Sequence, residues 1–435
     1  DSAGVENSAF GFRAMRNNKT GFSNASFGAN ALGSNVSGNW NVAIGSYALL
    51  QNQTGNSNQA IGNGVLRNLV SGDRNNAIGA YSLADGTSFS DNNAFGTNAL
   101  EKNMNGSKNI ALGNYSLNQN MNGGSNIGIG YAAVKGNVIG YYNIGLGDST
   151  LSNNYSGNQN LALGYRSLYS NDNGYSNISL GHNAMEDNTS GNNNIAMGYY
   201  ALRNNTTGIK NIAIGQFALG NNSSGSNNIV LGNNAHSINS KSENSIVIGN
   251  QAGSYGLGSD LLVIENSDSL NSLICGDFIG NRVGINRVQT DLLNNPATFQ
   301  VNGDASKNTA GSWLSHSDQR LKKEIISLES EAMLKKVLNM RGVTYFWNDN
   351  QTGASRPKEK QYGFIAQELE KVFPEKVKTD GMGLLMAAYG DFDPMLVEAI
   401  KALNLKIEKL QIERDGFQSR LEKIEAILSI IKAEN

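Results

Sequence analysis

Charge is scarce over the first part of this chain, and cysteine and proline are scarce throughout. Residues 1–249 carry 23 charged side chains, about 9% of that stretch, whereas the 119 residues of 317–435 carry 38, about 32%. The two ends obey different physics, and 435 residues are too many for one typical domain. A single cysteine, Cys275, excludes an intrachain disulfide framework. None of the four prolines falls in 1–249, so nothing there breaks a hydrogen-bond ladder. No apolar run is long enough to cross a membrane as a helix. The net charge is −2 with no basic block, which argues against a nucleic-acid partner. His182, His236 and His316 are scattered without metal-ligand spacing. There is no phosphate loop and no catalytic carboxylate pair, so neither metal nor cofactor is expected. The opening "DSAGVENSAFG" lies already inside a pattern, so further residues upstream are expected.

What is abundant is glycine, 51 residues of it, in strict order. The stretches "NVAIGSYAL" (41–49), "NIALGNYSL" (109–117), "NIAMGYYAL" (194–202) and "NIAIGQFAL" (211–219) are copies of one unit. Its glycine recurs every 17 residues from Gly11 to Gly249, fifteen times without an insertion. The residue before that glycine is always large and apolar, and the one before that is small in most units. Asn stands four before it in fourteen of the fifteen units, Asn7 to Asn228, until Ser245 replaces it. Leu usually stands four after it, and another Gly lies seven before it in "NNxSG"-like turns.

A period of 17 with two apolar steps and two Gly turns reads as one coil of a β-solenoid. Helix is a poor reading, because two Gly and several Asn per unit would cost too much. The expected strands are "NIAI" and "xxAL", and the Asn column is expected to form a ladder from coil to coil. At strand spacing fifteen coils would make a rod of roughly 70 Å. Three before the glycine, early units have Ser8, Gln59, Asn76 or Asn93 and later ones Ile or Leu, from which a thinner core is expected near the N-terminal end. Tyr47, Tyr81, Tyr115, Tyr200 and Phe217 share one column. They offer either a sugar-stacking face or packing between coils or chains, and packing is the simpler reading. Triplets such as Asn24-Ala25-Ser26 match a glycosylation acceptor, as chance predicts in so Asn-rich a chain.

The repeated "N-I-A-I-G-x-x-A" over about 1–255 resembles the head repeats of trimeric autotransporter adhesins. That resemblance implies a left-handed parallel β-roll in a trimer, although the present unit is longer, the extra residues falling in the "NNxSG" turn. Residues 256–312 leave the register. "DLLVIENS", "SLICGDF", "NRVGINR" and "ATFQVNGDA" read there as short strands. They resemble the intertwined neck that precedes chaperone domains in bacterial and phage tail-fibre-like proteins.

Beyond 312, "SDQRLKKEI" (317–325), "YGFIAQELEKVFPEKV" (362–377) and "FDPMLVEAIKALNLKIEKL" (392–410) resemble the C-terminal intramolecular chaperone and auto-processing domain of phage endosialidases and tailspikes. The resemblance implies a fibre that trimerises and then cuts itself through a Ser–Lys dyad. By residue it implies Ser317 as nucleophile, Lys322 as base and His316–Ser317 as the scissile bond, with Lys323 as a neighbour the family spacing passes over. A Ser hydroxyl needs a base, and a Lys serves if burial frees its amine of the proton. Asp318 and Arg320 are expected to hold the loop by ion pairing.

The tail carries heptads. Leu396, Leu403, Leu410, Phe417, Ile424 and Ile431 take one seam position, and Ile400, Ile407, Leu421 and Leu428 take the other, where Arg414 intrudes. Pro394 sits where a helix start tolerates it.

The expected organisation is a mainly β chain. Its parts are a solenoid shaft over 1–255, a β neck over 256–312, an α+β chaperone domain over 313–393 and a coiled-coil helix over 394–435. The expected role is a homotrimeric fibre, extracellular, at a cell surface or on a virion, that attaches to a receptor, a glycan being one candidate. The alternative is a passive spacer whose trimerisation domain stays attached. A glycan-degrading activity lacks a carboxylate cluster before residue 316, and an ice-binding face lacks a regular Thr column. Enzymatic action would be at most a single self-cleavage.

Overall fold

The computed structural model describes residues 5–238, 240–254, 258–294, 298–301, 318–348, 358–379, 383–388, 390 and 392–433. The chain divides into two compact units, residues 1–292 with 298–300, and residues 293–297 with 301–435.

The first unit is a parallel β-solenoid. Fifteen three-residue strands, β1 (Ser8–Phe10) to β15 (Ile246–Ile248), follow one another at 17-residue steps, each paired in parallel with the next. Number each coil from its glycine as position 0, so that the strand occupies −3 to −1. Position −2 points inward, and Ala43, Ala60, Ala77 and Ala94 there are fully buried. Positions +3 and +4 also point inward, as Ala48 and Leu49 or Ala201 and Leu202 do. The core is thus a column of small residues facing a column of leucines.

The stretch "xxAL" is not a strand. It is a turn whose second residue and whose Leu both lie in the left-handed region, Tyr47 at φ 62° and Leu49 at 51°. Burial of the Leu overrides a conformation that costs an L-residue about 1 kcal/mol or more. Position 0 is glycine for a harder reason. Gly45 has φ 129°, and a Cβ there would run into the carbonyl of Gly62 in the next coil. The early-coil residues at −3 do not thin the core either. Alternation sends −3 outward together with −1, so Gln59 and Asn76 change the outer face of the sheet.

Two amide ladders run along the interior. The Asn column at −4 is the first. Asn41 donates its backbone N–H (2.9 Å) and its side-chain amide (3.1 Å) to Asn24 Oδ1, and the same amide reaches the Gly55 carbonyl at 2.8 Å. The second stands at +7, where Asn120 Nδ2 donates to Asn103 Oδ1 (2.8 Å) and to the Gly123 carbonyl (2.8 Å). Burial without partners would be costly, and these bonds supply the partners.

His236 takes the +4 place that Leu holds in most coils. It is fully buried, and among the described residues neither ring nitrogen has a hydrogen-bond partner of good geometry. Burial pushes its pKa down to about 4, and the Gly253 backbone offsets this only in part. The unfolded chain takes up a proton near pH 6.5 that the folded chain refuses until about pH 4. Stability is therefore expected to fall by about 3 kcal/mol as pH drops through that window and to level off below it. His236→Leu is expected to abolish that component, as read by urea unfolding at pH 7, 5.5 and 4.

After β15 the step shortens to 16, Ile248 pairing with Ile264 of β16 (Leu261–Ile264). From there the sheet turns antiparallel through β17 (Asn271–Asp277) and β18 (Arg282–Val288). Strands form within each of the four stretches expected here, the last being β19 (Phe299–Val301), preceded by the short helix α1 (Gln289–Asn294); residues 297 and 302–305 of that last stretch lie outside the described residues.

Candidate processing site

The second unit is small and mixed. Helix α2 (Ser330–Leu338) lies on the long helix α4 (Asp393–Ala433), where Leu334, Ala399 and Ala402 are buried together. Ser330 Oγ donates to Glu398 Oε2 at 2.6 Å, and Lys401 pairs with the same carboxylate. Two antiparallel ribbons follow. One pairs β20 (Val343–Tyr345) with β21 (Gln361–Gly363), and the other pairs β22 (Val377–Thr379) with β23 (Leu385–Ala387). Between them, α3 (Ala366–Val372) sets Leu369 and Phe373 against Phe392, the buried centre of this part. Arg341 clamps Glu368 on α3, and its guanidinium holds that carboxyl below the usual range.

His316 and Ser317 lie outside the described residues. The chain just after them is held firmly. Asp318, extended at φ −63° and ψ 134°, caps a single 3-10 turn, Gln319–Leu321, by accepting from the Arg320 backbone N–H at 2.8 Å. Its carboxylate also takes the Arg320 guanidinium, Nη2 to Oδ2 at 2.7 Å and Nε to Oδ1 at 3.0 Å. These bonds hold Asp318 below the ordinary carboxylate range. The turn ends on Lys322, whose backbone N–H donates to the Gln319 carbonyl at 3.1 Å. The capped turn therefore fixes how the chain runs from Asp318 to Lys322. Both Lys322 and Lys323 are exposed on the single chain. Since an amine must be desolvated to act as a base at neutral pH, surroundings beyond this turn have to supply that.

The seam residues Leu396, Ile400, Leu403, Ile407, Leu410, Phe417, Leu421, Ile424, Leu428 and Ile431 all lie on α4 and are all 40–65% exposed. Arg414 among them pairs with Asp415 at 2.7 Å. In the tyrosine column, Tyr200 and Phe217 stack at 5.3 Å and 28°, and in the column one residue before it Tyr165, His182 and Tyr199 follow one another in adjacent coils at 5.1 and 5.4 Å. Tyr200 and Phe217 thus turn ring faces to each other, whereas Tyr47 and Tyr81 are 45% and 43% exposed. Sequence reasoning missed Glu186, buried and bridged by Arg166 (3.0 Å) from the coil before and Arg203 (3.0 Å) from the coil after. Three charged residues close to one register, in a stretch otherwise short of charge, were the available signal. Among the described residues, no helix is long and apolar enough to cross a membrane and no group of residues is arranged to hold a metal ion.

No curated protein matches the chain. Residues 317–378 match the family described as chaperone of endosialidase. The match begins at Ser317 and spans the capped turn, α2, both strands of the first ribbon and α3. Behind a β-solenoid of 17-residue coils, the C-terminal part of this chain carries a domain of the endosialidase-chaperone type.

Proposed function

We propose that this chain is the precursor of a homotrimeric attachment fibre, built by its C-terminal domain and then released from it by cleavage at His316–Ser317. The observation that carries the reading is the family match over residues 317–378, which starts at Ser317 and follows the β-solenoid in the chain. The exposed heptad stripe of α4 supports self-association, since 41 residues of helix with so many uncovered apolar side chains are unfavourable in water. A shaft whose coils resemble one another can slip in register. Three chains aligned by their C-terminal helices begin winding together.

In the cleavage, the amine of Lys322 takes the proton of Ser317 Oγ as that oxygen attacks the carbonyl carbon of His316. The C–N bond breaks, the nitrogen of Ser317 takes up a proton, and an ester is left. Water hydrolyses the ester, restoring the hydroxyl and freeing the carboxylate of His316. Loss of the aligning domain leaves a fibre that is slow to unfold and unable to reassemble.

The test is denaturing mass spectrometry of the purified chain beside Ser317→Ala. The expected result is two fragments meeting at His316 and Ser317 in the wild type and one whole chain in the variant. Two whole chains would end the processing reading and leave a permanently joined spacer with a trimerisation foot. Attachment is tested separately, by binding of the solenoid to arrayed glycans and to cells. No binding would favour the spacer.

A further inference from the structure

The outward face of the solenoid sheet carries an apolar column along its whole length. At −1 stand Phe, Ile, Leu or Met in all fifteen coils, and Ile44, Ile78, Ile129 and Ile214 are 38–41% exposed. From Ile110 onward −3 is Ile or Leu as well, on the same face. At about 70 Å by 10 Å the stripe covers roughly 700 Å² per chain, the scale of one side of a stable interface. Its period decides what fits it. A row of side chains repeating once per coil is matched from end to end only by a surface with the same repeat, which is another copy of this chain running parallel.

Apart from Ser8 in the first coil, polar residues interrupt −3 at one place. In three consecutive coils, between Val42 and Ile110, position −3 is Gln59, Asn76 and Asn93, and Asn76 donates to Asn93 at 2.8 Å. The same coils are exceptional inside. Leu69 and Gly86 replace Asn at +7, and Phe89, buried, replaces the glycine at −7. A Cβ on Gly86 would meet the Phe89 ring, so these replacements fit one another.

We propose that this sheet face is the seam between copies of the chain, and that Gln59, Asn76 and Asn93 form an amide layer in it that fixes their mutual register. The inference rests on the homotrimer reading. In register, amides from each copy meet amides. A slip of one coil buries an end member of each row against Val42 or Ile110 without a partner, and longer slips strand more of them, which buried polar groups in apolar seams do not tolerate.

The experiment uses the full chain with Cys275→Ser, so that introduced thiols are the only ones. Ile214→Cys is expected to give interchain disulfides, and Thr207→Cys, exposed on a turn, is expected to give none. A trimeric mass with no disulfide at 214 would overturn the seam while leaving the trimer intact. A monomeric mass would overturn the trimer reading itself. For register, Ile44→Cys chains are co-refolded with Ile78→Cys chains, residues two coils apart. Mixed disulfides are expected to stay at background with the natural amides and to rise about tenfold when Gln59, Asn76 and Asn93 are all changed to Ile. Should the triple variant not fold, Asn93→Ile alone is read in the same way, with a smaller rise expected. Equal mixed-disulfide levels with and without the amides would overturn the layer.

Discussion

Lys322→Arg chains are expected to remain whole after purification, at a temperature and time that fully split the wild type. The substitution keeps the positive charge, the length and the capacity to pair with a carboxylate. What it removes is a group able to give up its proton, because a guanidinium stays charged under all ordinary conditions. A purely structural Lys322 would tolerate the change, so a split Arg variant would remove the lysine from the chemistry even if Ser317→Ala stays whole. Lys323→Arg serves as the control and is expected to split normally. Because Lys322 is exposed on the single chain, the desolvation it needs is expected to come with assembly. The split should then be slower in dilute, freshly diluted monomer than in concentrated protein.

Asn143→Leu is expected to cost about 4 kcal/mol, read as a lowered urea midpoint of the solenoid by circular dichroism. Asn143 donates its amide to the Gly157 carbonyl at 2.8 Å, and its Oδ1 accepts both the backbone N–H and the side-chain amide of Asn160 at 3.1 Å. Leu strands the buried Asn160 N–H and removes the cross-coil bonds, while adding a larger apolar group where a polar column runs. Asn143→Ser is expected to lose about half as much. The chain itself makes that substitution once. Ser245 occupies the same column, keeps its backbone bond to Asn228 Oδ1 at 3.1 Å, and its hydroxyl accepts the Leu261 N–H at 3.3 Å. Equal losses for Leu and Ser would mean that volume, not the acceptor, sets the cost.

Much of this was legible in the sequence because the period forces it. Fifteen glycines at 17-residue steps fix the coil, and the Asn column at −4 announces its ladder. The second ladder was hidden in turns such as "NMNGGSN", where Asn and Gly look like ordinary loop chemistry. "xxAL" was misread as a strand because alternation of small and large residues carries no sign of φ. Leu49 at 51° is left-handed only because its coil closes there. The direction of −3 was misread for a related reason. In a half-buried strand apolar residues mark the core, but here the core is lined by Ala at −2 and the larger residues face out. In the C-terminal part, order and spacing of motifs located the matched segment, and the Asp318–Arg320 pair agrees with the ion pair expected from "SDQR". The exposure of Lys322 was not legible, because burial of a single side chain depends on neighbours that no local motif specifies.

The coil also sets how such a rod can change over evolutionary time. Each coil holds four positions in the positive-φ region, as at Trp40, Gly45, Tyr47 and Leu49, and each falls at a fixed place in the 17. An insertion of one residue would move all of them out of place and turn the Asn of both ladders away from their partners. Where the step does shorten by one, between Ile248 and Ile264, parallel winding ends and the sheet folds back on itself. Length in this architecture is consequently quantised. It can grow or shrink by whole coils, each about 4.8 Å, through duplication or loss of 17 residues, and it is closed to finer adjustment.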